Sequence, residues 1–305
     1  MRSDWSSDVC SSDLKRFAYS GDHRRSFEQL RTRIEMTFKK PEAWSRIKNT
    51  LSYAATYASD LNDILLKNKN AGHQLYHKLS LTHDHRQKSI NPYSIGANIE
   101  YGGEFLKAWM DASFTYSYYM DEGLNIRVFG GTFLYQEEDL PPAYAFYLSG
   151  NKGLNDYTFN QTYLGRFEDP KDENANQLLA QQFYPGQGGF ALYSQLGITR
   201  DWMLAINMTT SLPLIRDIPM DAYASFGTFG ETLPINADLS NKSWALETGL
   251  RFSFLNLVDI YFPLAASNNL EKASDLINTR YGEKIRFHVK FDLLKPARIT
   301  DQFDF

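Results

Sequence analysis

The sequence predicts an all-β protein, an antiparallel transmembrane β-barrel that is N-terminally truncated, with about eleven strands and one long loop that enters the lumen. Three observations carry this. In the segment Lys284 to Leu293, the side chains Ile285, Phe287, Val289, Phe291 and Leu293 share one strand face, while Lys284, Arg286, His288, Lys290 and Asp292 share the other. The same two-faced pattern recurs along the chain, with large aromatics on the apolar side and many charges on the polar side. A soluble sheet alternates too, but a wall between lipid and an aqueous lumen asks for both of those extremes. Finally, the connections between the candidate strands mostly alternate between short and long.

The opening residues stand apart. Asp4 to Leu14, D-W-S-S-D-V-C-S-S-D-L, have no apolar core and carry three aspartates where a signal peptide has a basic head. Reverse-translated, they match a common sequencing-library adapter, so residues 1–14 are expected to be a read-assembly artefact and residues 15–305 the partial barrel. The natural protein is then expected to begin further upstream. Cys10, the single cysteine, falls inside that stretch, which leaves no disulfide or thiolate ligand to expect elsewhere.

Composition narrows the class by exclusion. A formal charge of -4 over 305 residues gives no basic excess, so no nucleic-acid partner is expected. No apolar run approaches the roughly 20 residues of a membrane helix, which excludes a helical membrane protein. Barrel strands escape that test because each is only half apolar, and a mean hydropathy of -0.45 is compatible with them. An aromatic content of 15% suits a barrel and an aromatic-rich soluble β-sandwich equally.

The strands follow in order. Leu30, Thr32, Ile34, Met36 and Phe38 alternate with Arg31, Arg33, Glu35 and Thr37. Ile47, Leu51, Tyr53, Ala55 and Tyr57 alternate with Lys48, Thr50, Ser52 and Thr56. Gln74 to His83 brings Lys78 to the wet face, and Tyr93 to Tyr101 follows. Phe105 to Tyr119 brings Lys107 and Asp111, and Gly123 to Leu134 brings Arg127. After the long loop come Trp202 to Leu212, Asp221 to Phe229, Trp244 to Phe254 with Glu247 and Arg251, Val258 to Leu264, and Lys284 to Leu293 with Arg286 and Lys290. Most approach the 9 to 11 residues that a tilted membrane strand requires. Asn176 to Gln182 is the one short stretch expected to be helical, and Phe190 to Leu196 alternates weakly but would break the strand parity, so it belongs to the loop.

With the chain end in the periplasm, Leu255 to Leu257, Pro213 to Met220 and Met120 to Glu122 are periplasmic links, while Ala265 to Glu283, Gly230 to Ser243, Tyr135 to Asp201 and Ala58 to His73 are outer loops. Gly102 to Glu104 is the exception, an outer connection of hairpin size. Aromatics gather near strand ends at Trp44, Tyr57, Tyr93, Tyr101, Tyr116, Tyr118, Tyr119, Trp202, Trp244, Tyr261 and Phe262, as in a girdle at the headgroup layer. The chain ends on Phe305, a terminal aromatic like those of many outer-membrane barrels.

The loop Tyr135 to Asp201 is far longer than a connector needs to be, and its Pro141, Pro142, Tyr144, Phe146, Tyr147, Phe183 and Tyr184 are expected to pack into the barrel mouth rather than stand in water. Gly165, Arg166 and Phe167 are the lumen-loop candidates. Arg166 is placed to pair with Asp111 or Glu247, against the plainer expectation of a solvated loop arginine. His83 and His85 share a strand face, but no third ligand follows at a metal-binding spacing, so neither a metal nor another cofactor is expected. H-E-x-x-H, a phosphate-binding Gly-rich loop and G-x-S-x-G are all absent, and no catalytic constellation can be assembled.

Trp244 to Phe254 (W-A-L-E-T-G-L-R-F-S-F), a tight turn, V-D-I-Y-F-P-L, an outer loop and I-R-F-H-V-K-F-D-L together resemble the end of the bacterial surface-antigen barrels, the polypeptide-transport family of outer membranes. In that family a long loop ahead of the last five strands folds into the lumen with an R-G-F tip. Tyr135 to Asp201 sits in the matching place, with Leu164-Gly165-Arg166-Phe167 instead of that tip. The barrel also resembles regions fused behind zinc aminopeptidase-like domains in Bacteroidetes outer-membrane proteins. These resemblances imply sixteen strands in a complete barrel, outer-membrane lipid as surroundings, and polypeptide substrate or assembly machinery as partners. The expected function is a non-catalytic membrane anchor in the bacterial outer membrane and a conduit for protein assembly or translocation, its lumen lined by Arg31, Arg33, Asp111, Arg127, Glu247, Arg251 and Arg286. The alternatives are a passive porin or solute channel and a soluble carbohydrate-binding β-sandwich.

Overall fold

The computed structural model describes residues 5–6, 11–17, 27–39, 47–59, 73–85, 90–119, 122–153, 156–158, 160–166, 176–212, 220–233, 243–255 and 257–291. Its strands are β1 (Trp5–Ser6), β2 (Ser11–Phe17), β3 (Phe27–Lys39), β4 (Lys48–Ser59), β5 (His73–Asp84), β6 (Tyr93–Tyr101), β7 (Phe105–Tyr119), β8 (Glu122–Gln136), β9 (Phe146–Tyr147), β10 (Ile198–Thr199), β11 (Trp202–Ser211), β12 (Met220–Phe229), β13 (Trp244–Phe254), β14 (Val258–Ala266) and β15 (Arg286–Val289). From β3 to β8 and then from β11 to β15, each strand pairs antiparallel with the next, making one meandering wall. These are the eleven segments that alternation marks out in the sequence. β1 and the first four residues of β2 lie in the stretch 1–14 set aside as an artefact on sequence grounds; both strands pair with β3, opposite Phe38 and Leu30 respectively. β9 and β10 pair with each other inside the long loop.

The two faces of the wall are inverted relative to a water-soluble protein. Leu79 (47% exposed), Leu81, Ile95, Ile99, Met110, Leu204, Phe226 and Leu246 lie bare on one face. On the other, Glu100, Lys107, Asp259 and Arg286 are buried, and Glu247 is 0% exposed. In water, each large apolar side chain left bare forgoes about 1.5–3 kcal/mol. Because strand side chains have a period of two, a one-residue slip would exchange the faces wholesale, so this inversion fixes the register of every pair. The wall is a single sheet with a charged, covered face, whereas the sandwich alternative requires two sheets packed on a dry core.

Connection ends alternate as a meander dictates, with 255–257 and 212–219 at one end of the wall and 137–201, 230–243 and 267–285 at the other. Tyr57, Tyr101, Tyr116, Tyr118, Trp202 and Trp244 are exposed near strand ends on the apolar face. Tyr261, expected in that girdle, instead turns inward against Phe183 and Tyr223, because it alternates in phase with buried Asp259. Trp44 and Phe305 lie outside the described residues.

Several boundaries differ from expectation. β8 continues through Gln136, so the long connection is 137–201 and does not begin at Tyr135. The last ladder is Arg286–Val289; Lys284 instead closes the short helix α3 (Tyr281–Lys284). The parity read from the sequence persists there, with Arg286 and His288 buried and Phe287 and Val289 half-buried. Helix α1 (Gln177–Ala180) falls within the expected Asn176 to Gln182, its Asn176 side chain accepting from Leu179 N at 3.3 Å. Helix α2 (Asn268–Asp275) was not expected, since about two turns of periodicity inside a polar loop give little signal. Its Leu270 and Ala273, three apart on one helix face, are fully buried.

Candidate functional site

The covered face of the wall is filled by the 137–201 loop, in two zones. At the loop end, wall residues Phe129, Met203, Ala205, Phe229 and Ala245 pack with Phe146, Leu148, Phe190, Leu192 and Leu196 of the loop and with Leu270 and Ala273 of α2. Phe190 to Leu196 thus owes its weak alternation to packing inside the lumen, and it forms no spanning strand. Gly227 permits the approach, since a Cβ there would lie 2.5 Å from the Leu148 side chain.

Further along the wall, polar side chains hold the backbone of the loop. The Glu247 carboxylate accepts from Ala191 N at 2.7 Å and Leu192 N at 2.8 Å. Arg127 pairs with Asp111 and donates to Gln187 O at 2.8 Å and to the Asn207 side chain at 3.0 Å. Asn207 donates in turn to Gly188 O at 3.0 Å. Lys107 donates to Tyr144 O at 3.2 Å and lies 4.0 Å from the Glu100 carboxylate. Its ammonium is ringed by Phe105, Trp109, Phe133, Phe146 and Tyr157, with centroids 4.8 to 5.8 Å away.

The loop also reaches both ends of the wall. On β3, the Gln29 side chain donates to Thr158 O and Arg31 to the Asn160 side chain. On β15, Arg286 donates to Gln181 O at 2.8 Å, Phe183 N donates to Phe287 O at 2.9 Å, and Gln182 and Phe287 form a parallel bridge. Arg286 further lies 5.1 Å from the Phe183 and Tyr193 ring centroids.

Of the wall residues singled out from sequence, Arg31, Arg127, Glu247 and Arg286 therefore touch the loop, and Asp111 does so through Arg127. Arg33 pairs with Glu35 at 2.7 Å, and Arg251 with Asp221 at 2.5 Å, along the wall itself. Gly165 packs against α1, where a Cβ would meet Leu179 at 2.5 Å. Arg166 does not pair with Asp111 or Glu247. It turns back into the loop, donating to Gly153 O at 2.7 Å and to Asp156 at 3.3 Å, with side chains 9% and 5% exposed. Asp156 is preorganised for this, because it already caps Asn160 N at 3.0 Å and Gln161 N at 2.7 Å. Neither is Arg166 the solvated arginine of the plainer expectation. Phe167 lies outside the described residues.

Burial sets the ionisation of the loop phenols. It holds Tyr157 well above the ordinary tyrosine range, with the Glu100 carboxylate adding to the effect. It pushes Tyr144 up to about 12, and raises Tyr147 and Tyr163 as well. Three of them therefore remain donors: Tyr157 to Glu100, Tyr147 to Pro142 O at 2.7 Å, and Tyr163 to Asn151 O at 3.3 Å, while the Tyr144 hydroxyl is hydrogen-bonded to that of Tyr76 at 2.8 Å.

His83 is held by neutral groups, Asn49 at 2.6 Å and the Tyr93 hydroxyl at 3.3 Å. Among the described residues, no group of three or more His, Cys, Asp or Glu side chains is arranged to hold a metal. Asn207 and Asp156 escaped the sequence reading. Asn207 lies in phase with Ala205 and Met203, which marks it as inward, but its role depends on a loop turn with no periodic signal.

No known family model matches the chain, and no curated protein matches it in sequence. Solved structures similar to it include that of BamA from Haemophilus ducreyi lacking POTRA domains 1-3, at 10% identity and a TM-score of 0.41, covering 84% of this chain and 55% of that one. The chain thus spans about half the length of that structure.

Proposed function

We propose that the chain is part of a bacterial outer-membrane β-barrel, anchored in lipid by its bare apolar face, with its lumen plugged by the 137–201 loop. The observation that carries this is the inversion of faces, with Leu79 and Ile99 exposed where Lys107 and Glu247 are buried. Its surroundings are outer-membrane lipid, and the girdle of Tyr57, Tyr101, Trp202 and Trp244 sits at the headgroup layer.

The finer role is handling of polypeptide in assembly or translocation, without catalysis by the barrel itself. Arg127, Asn207, Lys107, Arg286 and Glu247 all hydrogen-bond to loop backbone groups, and Lys107 and Arg286 add contacts to loop rings. Backbone is common to every protein, so a segment that displaces the loop meets the same donors and acceptors whatever its sequence. A surface antigen of this kind would carry further domains upstream, such as the zinc aminopeptidase-like domain of Bacteroidetes relatives, and the upstream gene sequence tests that extension.

A photo-crosslinking residue at Asn207 tests the conduit. Adducts with outer-membrane polypeptides are expected when Glu247→Ala releases the loop, and far fewer with Glu247 in place. Large steady ion conductance by the unaltered chain, with no polypeptide adducts in either form, would favour the passive porin. Partitioning of the chain away from the membrane fraction would remove the anchor reading altogether.

A further inference from the structure

The aromatic girdle at the loop end of the wall contains an imidazole. His77 lies in phase with Leu75, Leu79 and Leu81, which are bare on the apolar face, and out of phase with buried Tyr76. In the ladder it stands directly opposite Ala55 of β4 and Tyr101 of β6, so it shares the level of Tyr101. The exposed Tyr53 hydroxyl is 2.7 Å from His77 Nδ1, and the Tyr53 and Tyr101 rings flank the imidazole with centroids 6.1 and 6.4 Å away.

The contact with Tyr53 orients the ring and leaves Nε2 without a hydrogen-bond partner among the described residues. The side chains facing His77 are Tyr53, Ala55 and Tyr57 of β4, Ile99 and Tyr101 of β6, and Leu75 and Leu79 of its own strand. None of them is a carboxylate, so the wall supplies no counter-charge to an imidazolium on this face. An ionisable group turned toward lipid is costly and marks a functional site, and at headgroup depth the anion that lipid itself offers is phosphate.

We propose that His77 binds the phosphomonoester of an outer-leaflet lipid headgroup, with Nε2 donating to a phosphate oxygen and the Tyr53 and Tyr101 rings bordering the headgroup. This rests on the reading of the apolar face as lipid-anchored. Imidazole loses its charge between about pH 5 and 8, while a phosphomonoester gains charge over the same range. A permanent cation would therefore hold the phosphate more tightly as the pH rises, whereas an imidazole holds it less tightly.

Dioleoyl phosphatidate and dioleoylglycerol, identical except for the phosphate, test this when titrated into the purified full chain in dodecyl maltoside, a phosphate-free detergent. At pH 6 phosphatidate should bind about fivefold or more tighter than at pH 8, and tighter than dioleoylglycerol by a similar factor. His77→Phe keeps a ring and should remove both preferences, whereas His77→Lys should bind phosphatidate at pH 8 at least as tightly as at pH 6. Heat-modifiable gel mobility verifies that each variant has folded, and the comparison of lipids and pH on the unaltered chain stands even where a variant has not. Phosphatidate binding that ignores pH, or that persists unchanged in His77→Phe, overturns the proposal, as does displacement by millimolar inorganic phosphate, which would make the site one for a free anion. A chain that sediments with dioleoyl phosphatidylcholine vesicles yet shows no preference for phosphatidate refutes this site alone; one that stays out of the vesicles refutes the anchor with it.

Discussion

Glu247 and Leu192, on opposite sides of the wall-to-loop boundary, are joined by a 2.8 Å hydrogen bond in which the carboxylate of β13 receives the loop's backbone N–H, and the adjacent Ala191 N occupies the other carboxylate oxygen at 2.7 Å. Replacing Glu247 by Ala leaves two buried N–H groups without acceptors, at about 1–3 kcal/mol each. The expected outcome is a wall that still folds but a loop that opens. Protease cleavage between residues 137 and 201 should quicken by at least tenfold, and Glu247→Gln should fall between the two forms.

Lys107 and Glu100 form a buried pair at 4.0 Å, with side chains 4% and 6% exposed. Lys107→Met keeps contact with the surrounding rings but strands the carboxylate, so a loss of about 3–5 kcal/mol is expected. The double variant with Glu100→Gln should regain most of that loss. Denaturant midpoints for the single and double variants check the coupling, and a double variant no more stable than Lys107→Met alone would contradict it.

Leu79, exposed at mid-strand, discriminates lipid from water as the medium around the wall. Leu79→Arg should cost about 2–4 kcal/mol in vesicles if that face meets the bilayer core. A water-facing site would tolerate the same change within about 0.5 kcal/mol. Urea unfolding of both forms in lipid vesicles reads the difference directly.

Alkaline pH should release the loop before the wall. Tyr144, Tyr147, Tyr157 and Tyr163 have folded values above the ordinary 10.0, chiefly through burial. Below that value both folded and open states are protonated, so the contribution to docking is complete. As the pH climbs past it, the open state loses protons that the docked state keeps, and docking weakens. Phenolate absorbance and protease sensitivity of the loop should therefore rise together above about pH 10, and separate transitions would refute this linkage.

The wall was legible because a lipid-facing strand repeats a simple rule every two residues, and Leu75, Leu79 and Leu81 or Ile95 and Ile99 obey it without help from distant neighbours. The same rule marked Arg127, Glu247 and Arg286 as inward. Their partners were not legible, because Gln187 O, Leu192 N and Gln181 O are backbone groups, which every residue type presents alike. The Arg166 pairing with Asp156 was obscured for a related reason. Asp156 is one acid among several in that loop, and only the fold distinguishes it by giving it two N–H partners.

The parallel bridge between Gln182 and Phe287 bears on the order in which the chain assembles. Arg286 and Gln181, hydrogen-bonded beside it, are 105 positions apart, so the terminal strand gains this edge only after the intervening stretch has been threaded and seated. Contacts at such separation form late and slowly. A nick in the plug should therefore show itself first at the carboxyl end, with Arg286 to Val289 peeling away while the earlier hairpins stay zipped.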